Sequence, residues 1–183
     1  MNNTKTIFKS LLIMIVAISL FTVSCSKDEG GTKTPTNPAK PITITAKNIT
    51  AGFTGLSTIT IGKMDFDFSS FDGNASSLTK TGVLAAVNDD TANFDKTKIE
   101  GKFTSGLKVS GATVAASAAN TDNFGVDKAS EITITITITP TSGNSFAADT
   151  DLKPYTKDTT DTKSVKVTLT LKPENGKKWN GAA

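Results

Sequence analysis

Strict alternation of apolar and polar residues is the clearest pattern in this chain. It is longest in Glu131–Thr139, where isoleucine and threonine alternate, and it recurs in Ser164–Leu171 with valine and leucine. A period of two predicts β-strands that turn one face to a core and the other to water. A shift of one residue would expose every isoleucine, so the pattern also predicts a well-specified strand register.

Shorter segments continue the alternation. Ile42–Thr45 alternates, and so does Leu56–Phe68, in which we expect Gly62 to mark a bulge or bend. Weaker strand candidates are Gly82–Val87, Lys98–Thr104 and Leu107–Val114. Beyond the N-terminus no segment has clear helical periodicity. About seven short strands, separated by Gly, Asn, Asp and Ser clusters, predict an all-β domain with the architecture of an antiparallel sandwich.

The last third of the chain contains an internal echo, in which Ile136–Phe146 aligns with Leu169–Trp179. In both copies a proline, a glycine and an aromatic residue follow a strand at the same offsets. Proline ends a strand because it cannot donate to the ladder, and glycine supplies the positive φ of a turn. We expect the aromatic to fold back onto the core, which makes Trp179 a predicted core residue.

This strand–Pro–x–x–Gly–x–x–aromatic pattern resembles immunoglobulin-like modules of bacterial surface proteins. The resemblance implies an immunoglobulin-like antiparallel β-sandwich of about seven or more strands. Two unrelated strands that end in common turn residues are the alternative interpretation.

The N-terminal segment carries a different signal. Two lysines precede an apolar run, Leu11–Val23, which is too short for a membrane span of about 20 residues but fits the apolar part of a secretion signal. The run ends in Thr22-Val23-Ser24-Cys25, which resembles the lipobox of bacterial lipoproteins, with threonine where leucine is usual. The resemblance implies cleavage between Ser24 and Cys25 and acyl chains on Cys25 as the membrane anchor. An ordinary secretion signal with an incidental cysteine, or an uncleaved anchor, is the alternative.

The chain is therefore predicted to have three parts. Residues 1–24 are the signal peptide, and residues 25–41 are the lipidated cysteine and a linker that is flexible because it is rich in Gly, Pro, Thr and Lys. Residues 42–183 are one all-β domain, with two very small domains as the alternative. Asp28 and Glu29 resemble a surface-export signal of some outer-membrane lipoproteins, and a plain solvated tether explains them equally well.

Composition excludes several function classes. The chain has no histidine and one cysteine, so Ser-His-Asp and Cys-His nucleophiles and most zinc sites are ruled out. Carboxylate pairs remain, but Glu100 and Glu131 are the only glutamates in strand candidates, and no insertion indicates a cleft. We expect a protein that is not an enzyme and that holds no cofactor and no metal ion.

Charge argues against a nucleic-acid partner. Without the signal peptide, 18 lysines stand against 17 acidic residues, and arginine is absent. Nucleic-acid binding usually needs a basic stripe with arginine for bidentate contacts.

The candidate site residues are weak. The alternating threonines Thr133, Thr135, Thr137 and Thr139 are candidates for a ligand-facing surface, although a solvated sheet face is the plainer interpretation. Four acidic or amide residues could be imagined as calcium ligands, but their spacing does not match an EF-hand loop, and strand and turn positions explain them better. They are Asp65, Asp67, Asp72 and Asn74.

Together these patterns predict a lipoprotein anchored to the outer membrane through Cys25 and exposed at the cell surface. We expect it to act as a non-catalytic binding or adhesion module whose ligand is a protein or a glycan. The alternative is a structural or assembly lipoprotein that works inside the envelope with a protein partner.

Overall fold

The computed structural model describes residues 39–73, 79–84, 91, 94–119 and 124–183. The predicted signal peptide, the Ser24–Cys25 cleavage site and nearly all of the linker lie outside the described residues. Residues Lys40–Ala183 form a compact unit. Its strands are β1 (Thr43–Ile44), β2 (Thr58–Ile61), β3 (Met64–Asp67), β4 (Thr79–Thr81), β5 (Val83–Leu84), β6 (Ala112–Ala119), β7 (Ile132–Pro140), β8 (Ser145–Phe146) and β9 (Val165–Lys172). Its helices are α1 (Ala46–Gly55), α2 (Lys96–Gly106) and α3 (Asp149–Leu152).

The largest sheet has four strands in the order β4-β9-β7-β6. β7 pairs antiparallel with both β6 and β9, and Ile134 lies opposite Ala118 on one side and Leu169 on the other. All four isoleucines of β7 are fully buried, as the alternation predicts. The apolar residues of β9 lie on the same inner face and are buried with them, so a shift in register would expose both rows.

A second sheet has the order β2-β3-β5. The expectation of one strand with a bulge or bend at Gly62 is wrong, because Gly62 and Lys63 are the two turn residues of a hairpin that joins two separate strands, β2 and β3. Gly62 has φ +61°, and a Cβ there would lie 2.5 Å from the carbonyl oxygen of Trp179. Glycine is therefore required both by the turn and by this close approach.

Three helices accompany the sheets, although the sequence predicted none. The predicted strand Lys98–Thr104 is wrong, because this segment belongs to α2. The Asp95 carboxylate begins α2 by accepting a hydrogen bond from Lys98 N at 2.8 Å. Asn48 Oδ1 fixes the start of α1 by accepting from the backbone N–H of Thr45 at 2.9 Å.

The described part of the chain is mostly strand with few helices, so the prediction of a strand-rich domain is confirmed at that level. Strand pairing is mixed: β1–β8 and β4–β9 are parallel, and the other pairs are antiparallel. Two weaker strand candidates are shorter than expected. Only Val83–Leu84 is strand among the described residues of Gly82–Val87, and strand begins at Ala112 in Leu107–Val114.

The inner faces of both main sheets and the apolar sides of the helices contribute to one core. Trp179 is fully buried, as predicted, and its indole N–H donates to the Ser130 carbonyl oxygen at 3.0 Å. Its counterpart in the echo, Phe146, packs against this core but stays partly exposed. Both turn glycines of the echo, Gly143 and Gly176, have positive φ, as expected.

Candidate functional site

The outer side of the four-stranded sheet carries the predicted threonine row. Thr133, Thr135, Thr137 and Thr139 are all partly exposed, and we call this row and its cross-strand neighbours on β6 and β9 the threonine face. Those neighbours are Thr113, Ala115, Ser117, Ala119, Lys166, Thr168 and Thr170. Hydroxyl and methyl groups dominate this set of residues, and Lys166 is its charged member. The threonine face can offer hydrogen bonds and shallow apolar contact to a flat ligand. Its plainer interpretation is a sheet face that is hydrated by water.

At the end of β7 the threonine face meets a pocket of about 430 Å³, which we call the β7-end pocket. Its walls are the end of β7, the turn into β8, β8 itself and the loop before β9. The lining residues are Thr139, Pro140, Thr141, Ser142, Gly143, Asn144, Ser145, Phe146, Lys157, Thr162 and Lys163. Of the four predicted threonines, the structure brings only Thr139 to this pocket.

One asparagine fixes the turn that forms part of the pocket's wall. Asn144 Oδ1 accepts from Ile42 N at 2.8 Å, and its amide donates to Gly111 O at 3.1 Å and to Thr141 Oγ1 at 2.7 Å. Thr141 N also donates to Gly111 O at 2.9 Å. These bonds join the turn to segments about 30 and 100 residues away in sequence, so the pocket's wall is held in place before any ligand arrives.

Two lysines give the pocket its charge, and none of its lining residues is acidic. Lys157 Nζ lies 2.9 Å from Asp149 Oδ1, in an ion pair whose Asp149 side chain is 82% exposed. Lys163 is exposed, and its backbone N–H donates to Asp161 Oδ1 at 3.1 Å. Nearby, a hydrogen bond from the Lys166 side chain lowers the pKa of Asp158, which keeps that carboxylate ionised and paired.

A different arrangement covers the edge of the sheet at β6. Glu100 Oε1 accepts from Ala118 N at 2.6 Å, and Thr104 Oγ1 accepts from Ala116 N at 3.1 Å. Burial works to raise the pKa of Glu100, but hydrogen bonds from Lys96 and Ala118 N and the charge of Lys96 together lower it. Helix α2 thus supplies acceptors to strand donors that point away from the sheet.

Four of the carboxylates considered as calcium ligands or catalytic groups already have hydrogen-bond or ion-pair partners within the protein. Asp65 accepts from the Thr60 hydroxyl at 2.7 Å, and Asp67 accepts from Ser69 N at 2.8 Å. Glu100 pairs with Lys96, and Glu131 with Lys172. Asn74 lies outside the described residues. Within the described ranges, no three Asp, Glu, Cys or His side chains are grouped so that they could hold a metal ion.

Sequence reasoning missed the two lysines and Phe146 as site residues. No motif joins them, because the pocket forms where residues 139–146 meet residues 157–163 in space. The echo indicated the turn and its glycine, but it assigned Phe146 to the core. A search for lysines near that turn could have suggested Lys157 and Lys163 only after the fold was known.

Among the helices of the described segments, none has both the length and the apolar character that crossing a membrane requires. Comparisons of the chain with protein-family models, with curated proteins and with solved structures found no match.

Proposed function

We propose that this protein is a lipid-anchored component of the bacterial cell envelope whose domain acts as a non-catalytic binding or adhesion module at the cell surface. The anchor is Cys25, the first residue after the signal peptide, and the linker to residue 41 carries the domain. The proposal for the anchor rests on the charged start, the apolar run and the lipobox-like residues of the N-terminus.

The observation that carries the binding role is the outer side of the four-stranded sheet. On its inner face the apolar rows of β7 and β9 are buried, which fixes the register and leaves the threonine face and the β7-end pocket accessible. A rigid sheet that presents a polar, nearly uncharged face and one pocket suits recognition of a ligand. The described carboxylates considered for catalysis are paired, which agrees with a non-catalytic role.

We also propose that the domain is an immunoglobulin-like sandwich with added helices. Support comes from the antiparallel sets β6-β7-β9 and β2-β3-β5, whose apolar faces belong to one core. Helices α1 and α2 and the short parallel pairs are the departures from the simplest form of that architecture.

Substitution of the anchoring residue tests the attachment. We expect Cys25→Ser to move the protein from the membrane fraction to the soluble fraction, because lipidation requires the thiol. Fractionation of cells with and without detergent measures this, and Ser26→Ala, one residue away, is the matched control that should stay with the membranes. Unchanged partitioning of Cys25→Ser would overturn the lipid anchor.

A further inference from the structure

We propose that the β7-end pocket binds an acidic sugar residue of a polysaccharide or glycan. This inference rests on the proposed binding function and names the ligand class of its pocket. The lining combines two ammonium groups, several hydroxyls and one aromatic ring, and these are the groups that a carboxylated sugar needs for its charge, its hydroxyls and its apolar ring face.

The size of the pocket suits a ligand of this class. Its volume of about 430 Å³ lies within the range of roughly 300–1,000 Å³ found for small-molecule sites. The partly exposed Phe146 and Pro140 give it an apolar wall. An apolar wall beside hydroxyls matches a sugar, which has a C–H face and an equatorial rim of hydroxyls.

The polar part of the lining, which we call the rim, carries the hydroxyls of Thr139, Ser142, Ser145 and Thr162. The Thr141 hydroxyl is already used, because it donates to Gly111 O at 3.1 Å and accepts from the Asn144 amide at 2.7 Å. Because a hydroxyl both donates and accepts, this rim can pair with sugar hydroxyls in either sense. Phosphate or another small inorganic anion would use only the lysines and would leave the aromatic wall and most of this rim without a role.

The charge of the pocket selects an acidic ligand. Lys157 and Lys163 line it without an acidic lining residue, although the chain beyond the signal peptide is nearly neutral. Within the described residues, Lys163 Nζ has no acidic side chain in ion-pair contact, and it is available to a carboxylate. The Lys157–Asp149 pair is exposed and therefore weak, so a ligand carboxylate can share or replace it.

The pocket is also preorganised. Three bonds of Asn144 hold the turn between β7 and β8, and the Asp161 carboxylate holds the backbone of Lys163. Ordering a loop on binding reduces affinity. A wall that is fixed before the ligand arrives avoids this cost and favours binding at an exposed site.

The test is calorimetric titration of the full-length protein in detergent at low ionic strength. Three compounds are compared: a short oligogalacturonate, the same oligomer as its methyl ester, and inorganic phosphate. We expect binding of the acidic oligomer, with the ester and phosphate each about fivefold weaker, since one exposed charge pair contributes up to roughly a factor of five.

Lys163→Ala is the diagnostic variant and should weaken binding of the acidic oligomer about fivefold. Lys47→Ala is the matched control, because it removes one charge from an exposed position on α1 and should leave binding unchanged. Circular dichroism of both variants verifies that the fold is kept.

Three results would overturn the proposal: no binding of the acidic oligomer, equal binding of acid and ester, or equal binding of phosphate and oligomer. The last result would show a general anion site in place of a sugar site. Each leaves the Cys25→Ser fractionation result untouched, so failure of the ligand class is distinguishable from failure of the proposed anchoring.

Discussion

At the scale of single residues, Glu100 links a helix to the edge of the four-stranded sheet. Its carboxylate joins Lys96 on its own helix to the Ala118 N–H at the edge of the sheet. Its pKa lies below the ordinary value of 4.5, so the folded state favours the ionised form. Stability from this group is therefore present above the unfolded pKa and is lost as pH falls through the lower, folded pKa.

We expect Glu100→Gln to lower the free energy of unfolding by about 1 kcal/mol at neutral pH, because the amide keeps an acceptor but loses the charge. The difference from the unchanged protein should shrink as pH falls below 4.5, where the carboxylate is protonated in the unfolded chain. Urea titrations across pH measure both effects.

The control for this prediction is Glu131→Gln. Glu131 also pairs with a lysine, but its side chain is 51% exposed, so its removal should change stability by less than about 0.5 kcal/mol. A pH-independent loss in Glu100→Gln would contradict the role given to its charge.

Residue-scale predictions from the sequence succeeded where a periodic pattern or the internal echo determines the environment of a residue. The four isoleucines of β7 and Trp179 are buried as expected. The pocket could not be predicted, because Phe146 lies in β8 and Lys163 in the loop before β9, and the pairing of β7 with β9 brings these segments together.

At the scale of elements, helix α2 takes the place that a fifth strand would have beside β6. Four residues of helix rise about 6 Å, and two residues of strand span about 6.8 Å. Glu100 and Thr104, four apart, can therefore serve Ala116 and Ala118, two apart. The small, uncharged edge of β6 is thereby covered over part of its length, which limits pairing with another chain.

Removing both acceptors should open this edge. In the double variant Glu100→Ala, Thr104→Val we expect the amides of Ala116 and Ala118 to exchange with solvent about fivefold faster or more, since each loses a hydrogen bond worth about 1 kcal/mol. Self-association should also rise with concentration. Hydrogen exchange by NMR and light scattering provide the two measurements.

Thr97→Val is the matched control on the same helix, at an exposed position that is not bonded to β6. Exchange rates that stay the same in the double variant would show that α2 does not protect the edge.

The helices illustrate why element prediction failed in part. In α2 the buried residues Ile99 and Phe103 are four apart, and a spacing of four puts two residues on one face of a strand as well as of a helix. The capping residue Asp95 and the Lys96–Glu100 pair were the signals that could have distinguished them. In β7 the nine-residue alternation leaves no such ambiguity.

At the scale of the whole molecule, we propose an N-terminal lipid anchor, a linker and a strand-rich domain whose threonine face and β7-end pocket form the binding surface. The linker composition, rich in Gly, Pro and Thr, is typical of a flexible tether. In this proposal the binding surface serves ligands outside the cell, which an assembly factor inside the envelope would not need.

Exposure at the cell surface is the central claim, and protease treatment of intact cells tests it most directly, with a periplasmic protein as the internal control. The account predicts that this protein is digested while the control survives. Protection of both until the outer membrane is opened would contradict it and would place the domain inside the envelope, as the assembly-lipoprotein alternative requires.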